Sequence, residues 1–176
     1  MIDFSQDYFA LFGLPRRYRF DSAQLDAAYR ALQRGIHPDR YASAGEAERR
    51  LALQSSARVN EAYRALKDPV DRAQYLLSLH GIDAFGETDT SLRPEFLQRE
   101  LSRRETIAEA HEQRDATKLA AMLAGTRSDM GTLEARLAQH LDGEQGLGAA
   151  RDDVRELRFL TKVVADIEAA LAELDD

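Results

Sequence analysis

Apolar residues recur at intervals of three and four positions along most of this chain, which is the period of an amphipathic α-helix. One such helix is predicted to begin after Asp21, a residue suited to cap it, and to run toward residue 35. Its buried stripe is Leu25, Ala28, Tyr29, Leu32 and Ile36. A second stripe, which ends at Asp68 and Pro69, is Leu51, Ser55, Val59, Ala62, Tyr63 and Leu66. This pattern predicts two antiparallel helices joined by a loop.

The second half of the chain returns to a helical period after turn-forming and small polar residues at 81–91. Helices are predicted over 94–113, then past Asp115 to residue 142, and again after the glycine-containing break at 143–148. The middle helix has the stripe Leu119, Leu123, Met130, Leu133, Leu137 and Leu141. The last has the stripe Ala150, Val154, Leu157, Leu160, Val164, Ile167, Leu171 and Leu174. The sequence therefore predicts an all-α protein with a first domain over 1–80, a linker over 81–93 and a three-helix bundle over 94–176.

The loop between the first two helices contains the tripeptide His37-Pro38-Asp39. Proline fixes its own φ and drives the preceding residue out of the α region, so this turn presents its polar side chains rigidly. Arg30 and Arg34 share the helix surface opposite the apolar stripe. A basic helix face that leads into a rigid turn favours a docking loop over a catalytic centre. The alternatives are a turn in which Asp39 bonds nearby backbone amides, and arginines that form an ordinary solvated face.

Charge is divided unequally along the chain. Residues 1–75 hold 12 Lys and Arg against 10 Asp and Glu, a net charge of +2. Residues 76–176 hold 12 against 21, a net charge of −9, and the whole chain carries −7. A mildly basic first half can dock on an acidic protein surface, whereas a strongly acidic second half is repelled by nucleic acid. We therefore expect protein partners and no nucleic acid.

Composition and motifs argue against catalysis. The absence of cysteine excludes thiolate metal sites and a cysteine nucleophile. The four histidines fall in no His-Glu-x-x-His motif, and the sequence has neither a Gly-rich phosphate loop nor a Gly-x-Ser-x-Gly turn. We predict no enzyme, no metal and no cofactor. Because no segment is apolar enough to span a bilayer and the first residues lack a secretory signal, we expect a cytoplasmic protein with no membrane partner.

Four stretches carry a family resemblance, namely Tyr8–Pro15, His37–Ser43, Asp68–Gly81 and Arg155–Lys162. They resemble the HscB-type J-domain co-chaperones of iron–sulfur cluster assembly, which belong to the DnaJ superfamily. The similarity covers nearly the whole chain, whereas a general J-protein shares only the first half. The resemblance implies an N-terminal J-domain, whose helical hairpin holds the His-Pro-Asp loop, followed by a C-terminal three-helix domain that binds the scaffold.

The same resemblance implies a co-chaperone that stimulates the ATPase of a DnaK/HscA-type chaperone. It would deliver the IscU-type iron–sulfur cluster scaffold protein to that chaperone and aid cluster transfer. The implied chaperone-binding residues are His37, Pro38, Asp39, Arg30, Arg34 and Arg40. The implied scaffold-binding residues are Leu97, Gln98, Leu101, Ser102, Glu105, Glu109 and Phe159. Gln98 and Ser102 depart from the usual methionine and acidic residue, so this patch is more polar. A general J-domain co-chaperone for unfolded clients is the alternative.

Phe159 is the residue of the second half whose position on its helix is most informative. On a helical wheel it lies roughly 130° from the centre of the last helix's apolar stripe, so we expect it to point away from the bundle core. An exposed aromatic ring of this kind is typical of an interface hot spot. The alternative is that Phe159 packs against the linker or the first half. For Leu97 and Leu101, the alternative is burial in the core, which is the usual fate of leucines at helical spacing.

Overall fold

A computed structural model describes residues 2–36, 41, 44–86, 91–143 and 146–175. Within these ranges the chain forms seven α-helices and no β-strand. The residues divide into two compact units, Met1–Leu76 and Leu77–Asp176. The predicted all-α fold is therefore confirmed. The predicted boundaries of the first domain, linker and second domain remain a prediction.

The first unit contains a helical hairpin and two shorter helices. Its helices are α1 Tyr8–Leu11, α2 Ser22–Ile36, α3 Glu46–Lys67 and α4 Pro69–Leu79, the last of which continues into the second unit. α2 starts where predicted, since the Asp21 carboxylate accepts a hydrogen bond from the Ala23 N–H at 2.9 Å. Its apolar stripe faces α3, with Leu25 and Val59 fully buried.

Polar contacts set the register of the hairpin. Near the start of α2, Asp26 accepts a hydrogen bond from the Tyr63 hydroxyl at 2.9 Å and pairs with Lys67 at 2.7 Å. The hydrogen bond from Lys67 lowers the pKa of Asp26. Near its end, Gln33 donates to the Asn60 side-chain oxygen at 2.5 Å. Because early residues of α2 meet late residues of α3, the two helices are antiparallel, as predicted.

The second unit is a three-helix bundle. Its helices are α5 Pro94–Glu112, α6 Ala116–Asp142 and α7 Leu147–Asp175. Pro94 occupies the first turn of α5, where its missing N–H costs no hydrogen bond. Asp115 caps α6 by accepting a hydrogen bond from the Lys118 N–H at 2.9 Å. The buried side of α7 largely follows the predicted stripe, although Val163 is buried where Val164 was expected.

The last helix begins at Leu147, inside the break predicted over 143–148. Gly146 adopts φ +94°, in the left-handed region that glycine tolerates, and its carbonyl accepts a hydrogen bond from the Ala150 N–H at 2.9 Å. α7 therefore begins at Leu147 and includes Gly148. The turn residue is Gly146, while Gly148 lies in the first helical turn.

Charged side chains are buried where the three helices meet, which the apolar stripes did not predict. The side chain of Asp153 on α7 is fully buried and lies 2.6 Å from Arg93 and 2.7 Å from Arg136. Glu156, one turn later, lies 2.5 Å from the same Arg93. Arg155 is buried as well and donates to the Ala84 carbonyl at 2.7 Å. Since Arg93 immediately precedes α5, this network fixes the start of α5 against α6 and α7.

Candidate protein-docking surfaces

The first candidate surface lies on α2. Arg30 and Arg34 are both exposed, on the side away from the buried Leu25. The four residues predicted to continue this surface, His37, Pro38, Asp39 and Arg40, lie outside the described residues. The structure thus provides the helix that leads into the tripeptide, and the docking role of the turn remains a prediction.

The second candidate surface is the outer side of α5, here called the α5 face and defined by Leu97, Gln98, Leu101, Ser102, Glu105 and Glu109. All six residues are exposed. Leu97 is 42% exposed and Leu101 is 64% exposed, so the alternative that these leucines belong to the core is wrong. The reason is that α5 packs through its other side, where Phe96 and Ala110 are buried. Leu97, Leu101, Glu105 and Glu109 follow one another at four-residue steps along the exposed side.

Polar anchors on the inner side of α5 hold this face in place. Arg103 donates to the Thr126 hydroxyl at 2.7 Å and pairs with Asp129 on α6. Glu100 is only 2% exposed, and its carboxylate lies 3.3 Å from the Arg103 side chain. Burial raises the pKa of Glu100, and the nearby arginines oppose that shift. Neither Glu100 nor Arg103 was among the predicted site residues, because a charged residue on a helix is normally read as solvated.

The expectation that Phe159 points away from the bundle core is wrong. Its ring is half-buried, packs edge-to-face against Phe96 with centroids 5.5 Å apart, and borders the core cluster that includes Ala110 and Val163. The helical wheel failed because α7 packs against α5 as well as α6. Phe159 lies off the main apolar stripe and is covered by Phe96 of α5.

One side of the Phe159 ring faces a groove. The guanidinium of Arg104 lies over the ring at 5.4 Å from its centroid, and Phe85 and Leu92 line a groove that the ring shares. The alternative of packing toward the linker is thus nearer to what is observed. Arg104 lies three residues after Leu101, so its helical spacing alone could have placed it beside the predicted patch.

The arrangement as a whole suits protein recognition. Two exposed leucines can act as apolar anchors, while the exposed carboxylates of Glu105 and Glu109 mark the acidic end of the same helix face. Lys118 lies 3.8 Å from Glu109, an exposed ion pair of a kind that contributes little to stability. Within the described parts of the chain, no helix combines the length and the apolar character needed to cross a bilayer.

Comparison with known proteins identifies both units. Residues 7–75 match the DnaJ domain family, and residues 92–168 match the family described as the HSCB C-terminal oligomerisation domain. The co-chaperone protein HscB homolog of Cupriavidus taiwanensis is 45% identical over 170 residues, covering 97% of this chain and 96% of the relative.

Solved structures agree. Chaperone HscB from Vibrio cholerae superposes with a TM-score of 0.86 at 35% identity, covering 96% of this chain and 99% of the other. The human co-chaperone protein HscB gives a TM-score of 0.88 at 26% identity, covering 95% of this chain and 83% of the other. Because the similarity spans both units and nearly the full length of these relatives, the chain belongs to the HscB family of co-chaperones.

Proposed function

We propose that this protein couples two binding events: the first unit stimulates the ATPase of a DnaK/HscA-type chaperone, and the second presents an IscU-type iron–sulfur cluster scaffold protein to it. Membership of a J-domain co-chaperone family makes an Hsp70-type chaperone the partner of the first unit. The more specific part of this proposal is that the second unit binds the scaffold protein.

The observation that carries the proposal is the exposure of Leu97 and Leu101 on a helix whose other side is well packed. Burying two such side chains at an interface removes apolar surface from water, worth roughly 1.5–3 kcal/mol for each fully buried leucine. Because Leu97 is 42% exposed and Leu101 is 64% exposed, a partner that covers them gains the corresponding part of that free energy. Gln98 and Ser102 beside them add polar contacts that tune which scaffold fits.

The coupling follows from having both surfaces on one chain. A scaffold bound at the α5 face is held near any chaperone bound to the first unit, so its effective concentration at the chaperone rises. Stimulated ATP hydrolysis then closes the chaperone on a client that is already present. The co-chaperone makes and breaks no covalent bond in this scheme.

The deciding experiment measures steady-state ATP hydrolysis by the cognate chaperone with the wild-type protein, with and without scaffold. We expect stimulation by the protein alone and further stimulation when scaffold is added. Asp39→Ala should abolish both while retaining wild-type helicity and scaffold affinity. The double variant Leu97→Ala/Leu101→Ala should keep the basal stimulation and lose the scaffold-dependent part.

Two results would contradict the proposal in different ways. Normal stimulation by Asp39→Ala would remove the role of the His-Pro-Asp turn. Equal enhancement by many unfolded chains, with no preference for the scaffold in a pull-down, would instead support a general co-chaperone for unfolded clients.

A further inference from the structure

A groove of about 370 Å³ lies beside Phe159 within the second unit. Its apolar lining comes from Phe85 and Leu92 before α5 and from Phe159 on α7. Arg158 and Lys162, which also line it, are both exposed. They are four residues apart on α7, so they project from the same side of the helix.

Cations surround the aromatic rings of this groove. The guanidinium of Arg158 lies 4.3 Å from the centroid of Phe85, and that of Arg104 lies 5.4 Å from the centroid of Phe159. Residues 76–176 carry a net charge of −9, so a basic groove here runs against the charge of its own half. The groove therefore has a local preference for anions that the overall charge conceals.

The groove is already formed in the free protein. The Arg155 side chain donates to the carbonyl of Ala84 at 2.7 Å, and the Phe85 N–H donates to the Asp83 carboxylate at 2.9 Å. Both bonds fix the peptide unit between Ala84 and Phe85, while Phe96 packs edge-to-face against Phe159. Because the groove is already ordered, binding a ligand there costs little conformational entropy, which favours affinity.

We propose that this groove binds an acidic segment of the scaffold protein, with a carboxylate between Arg158 and Lys162 and a neighbouring apolar side chain against Phe85 and Phe159. The inference rests on the proposed function, since it assigns a second contact to the same partner. Phe159, which the family resemblance includes among the scaffold-binding residues, packs against Phe96 of α5 and also lines the groove. The α5 face ends in Glu105 and Glu109, so the full surface is acidic at one end and basic at the other, and only one orientation of a partner with complementary charges satisfies both.

The test is titration calorimetry of the full-length protein against the cognate scaffold at two salt concentrations. Arg158→Glu and Lys162→Glu are each expected to weaken binding roughly fivefold at low salt and to lessen its salt dependence. Arg127→Glu is the matched control, because Arg127 is an exposed arginine on α6, paired with Glu168, and its reversal changes the net charge equally. It should stay within about twofold of wild type.

Leu101→Ala separates this inference from the proposed function. If Leu101→Ala weakens binding while Arg158→Glu and Lys162→Glu behave like Arg127→Glu, the groove is not part of the interface and this inference is overturned alone. If Leu101→Ala also binds normally, the scaffold-docking function itself fails. Tighter binding by Lys162→Glu would show that the partner presents cations there, which also overturns the inference. Should Arg158→Glu fail to fold, the exposed Lys162 decides the result.

Discussion

In the first unit, α2 and α3 pack through apolar side chains and keep the Asp26–Lys67 ion pair at the surface. In the second unit, α5, α6 and α7 meet around Asp153, whose carboxylate is fully buried between two guanidinium groups. Apolar periodicity locates the first kind of packing directly. It does not predict the buried charges around Asp153, although these position α5, the helix that carries the proposed scaffold-binding face.

The largest expected effect follows from this difference. Asp153→Ala removes the fully buried carboxylate that Arg93 and Arg136 share and leaves Glu156 as their remaining buried partner, so we expect it to lower the free energy of unfolding by roughly 3 kcal/mol. Asp26→Ala removes a surface carboxylate from the first unit and should cost much less. Urea denaturation followed by circular dichroism measures both.

Asp152→Ala is the matched control within the second unit, because Asp152 is the neighbouring residue on α7, its side chain is 36% exposed, and it pairs with the similarly exposed Arg151 at 3.1 Å. It should behave like Asp26→Ala. The contrast between the units would collapse if Asp153→Ala were as mild as either surface variant.

A second comparison is between the apolar residues of the proposed interface. Phe159 is half-buried against Phe96, whereas Leu101 is 64% exposed. Phe159→Ala should therefore lower stability by roughly 2 kcal/mol, about half the cost of truncating a fully buried ring, and weaken scaffold binding by at least about 1 kcal/mol. Leu101→Ala should weaken binding with little change in stability. Thermal melts paired with titration calorimetry separate the two quantities.

A large drop in melting temperature for Phe159→Ala with unchanged scaffold affinity would assign the ring to the core alone. In that case only the leucines of the α5 face would remain as anchors. The opposite result, lost affinity at full stability, would mean that its contact with Phe96 contributes little.

Individual residues show how much of the structure could be predicted from the sequence. Leu25 and Val59 could be assigned to the core because each helix of the hairpin buries one face, so a single stripe describes its packing. Phe159 could not, because a helix covered from two directions buries a wider arc than its stripe. Leu97 and Leu101 look like core residues by spacing alone, and the family resemblance was what indicated their exposure. Asp153 and Glu156 were missed because burial of a carboxylate depends on partners distant in sequence.

A smaller effect is expected from the charge on the α2 surface. It can be measured by comparing charge reversals on α2 with charge reversals on α3. Reversing Arg30 and Arg34 to Glu is expected to weaken chaperone docking about tenfold at low salt, and wild-type docking should weaken as salt rises. The matched control reverses Arg49 and Arg50, which are exposed in the first turns of α3. Surface plasmon resonance over a salt series gives the comparison, and salt-independent docking of the wild type would argue against an electrostatic role for α2.

The smallest expected effect concerns Glu100, the buried carboxyl beneath the α5 face. Burial raises its pKa in the folded state above the unfolded value, so the folded protein binds the proton more tightly. Stability from this group is therefore greatest below the unfolded pKa and is lost as pH rises through the folded pKa. Glu100→Gln keeps the shape without the charge, and should raise the melting temperature at pH 7 by an amount that shrinks as pH falls toward about 4.5.

Glu105→Gln provides the reference for that measurement, because Glu105 lies on the exposed side of the same helix. Its melting temperature should follow wild type throughout the pH series. A destabilised Glu100→Gln at pH 7 would mean that the attraction to Arg103, 3.3 Å away, outweighs the cost of burial. Glu100 would then join Asp153 as a residue that holds α5 in place through its charge.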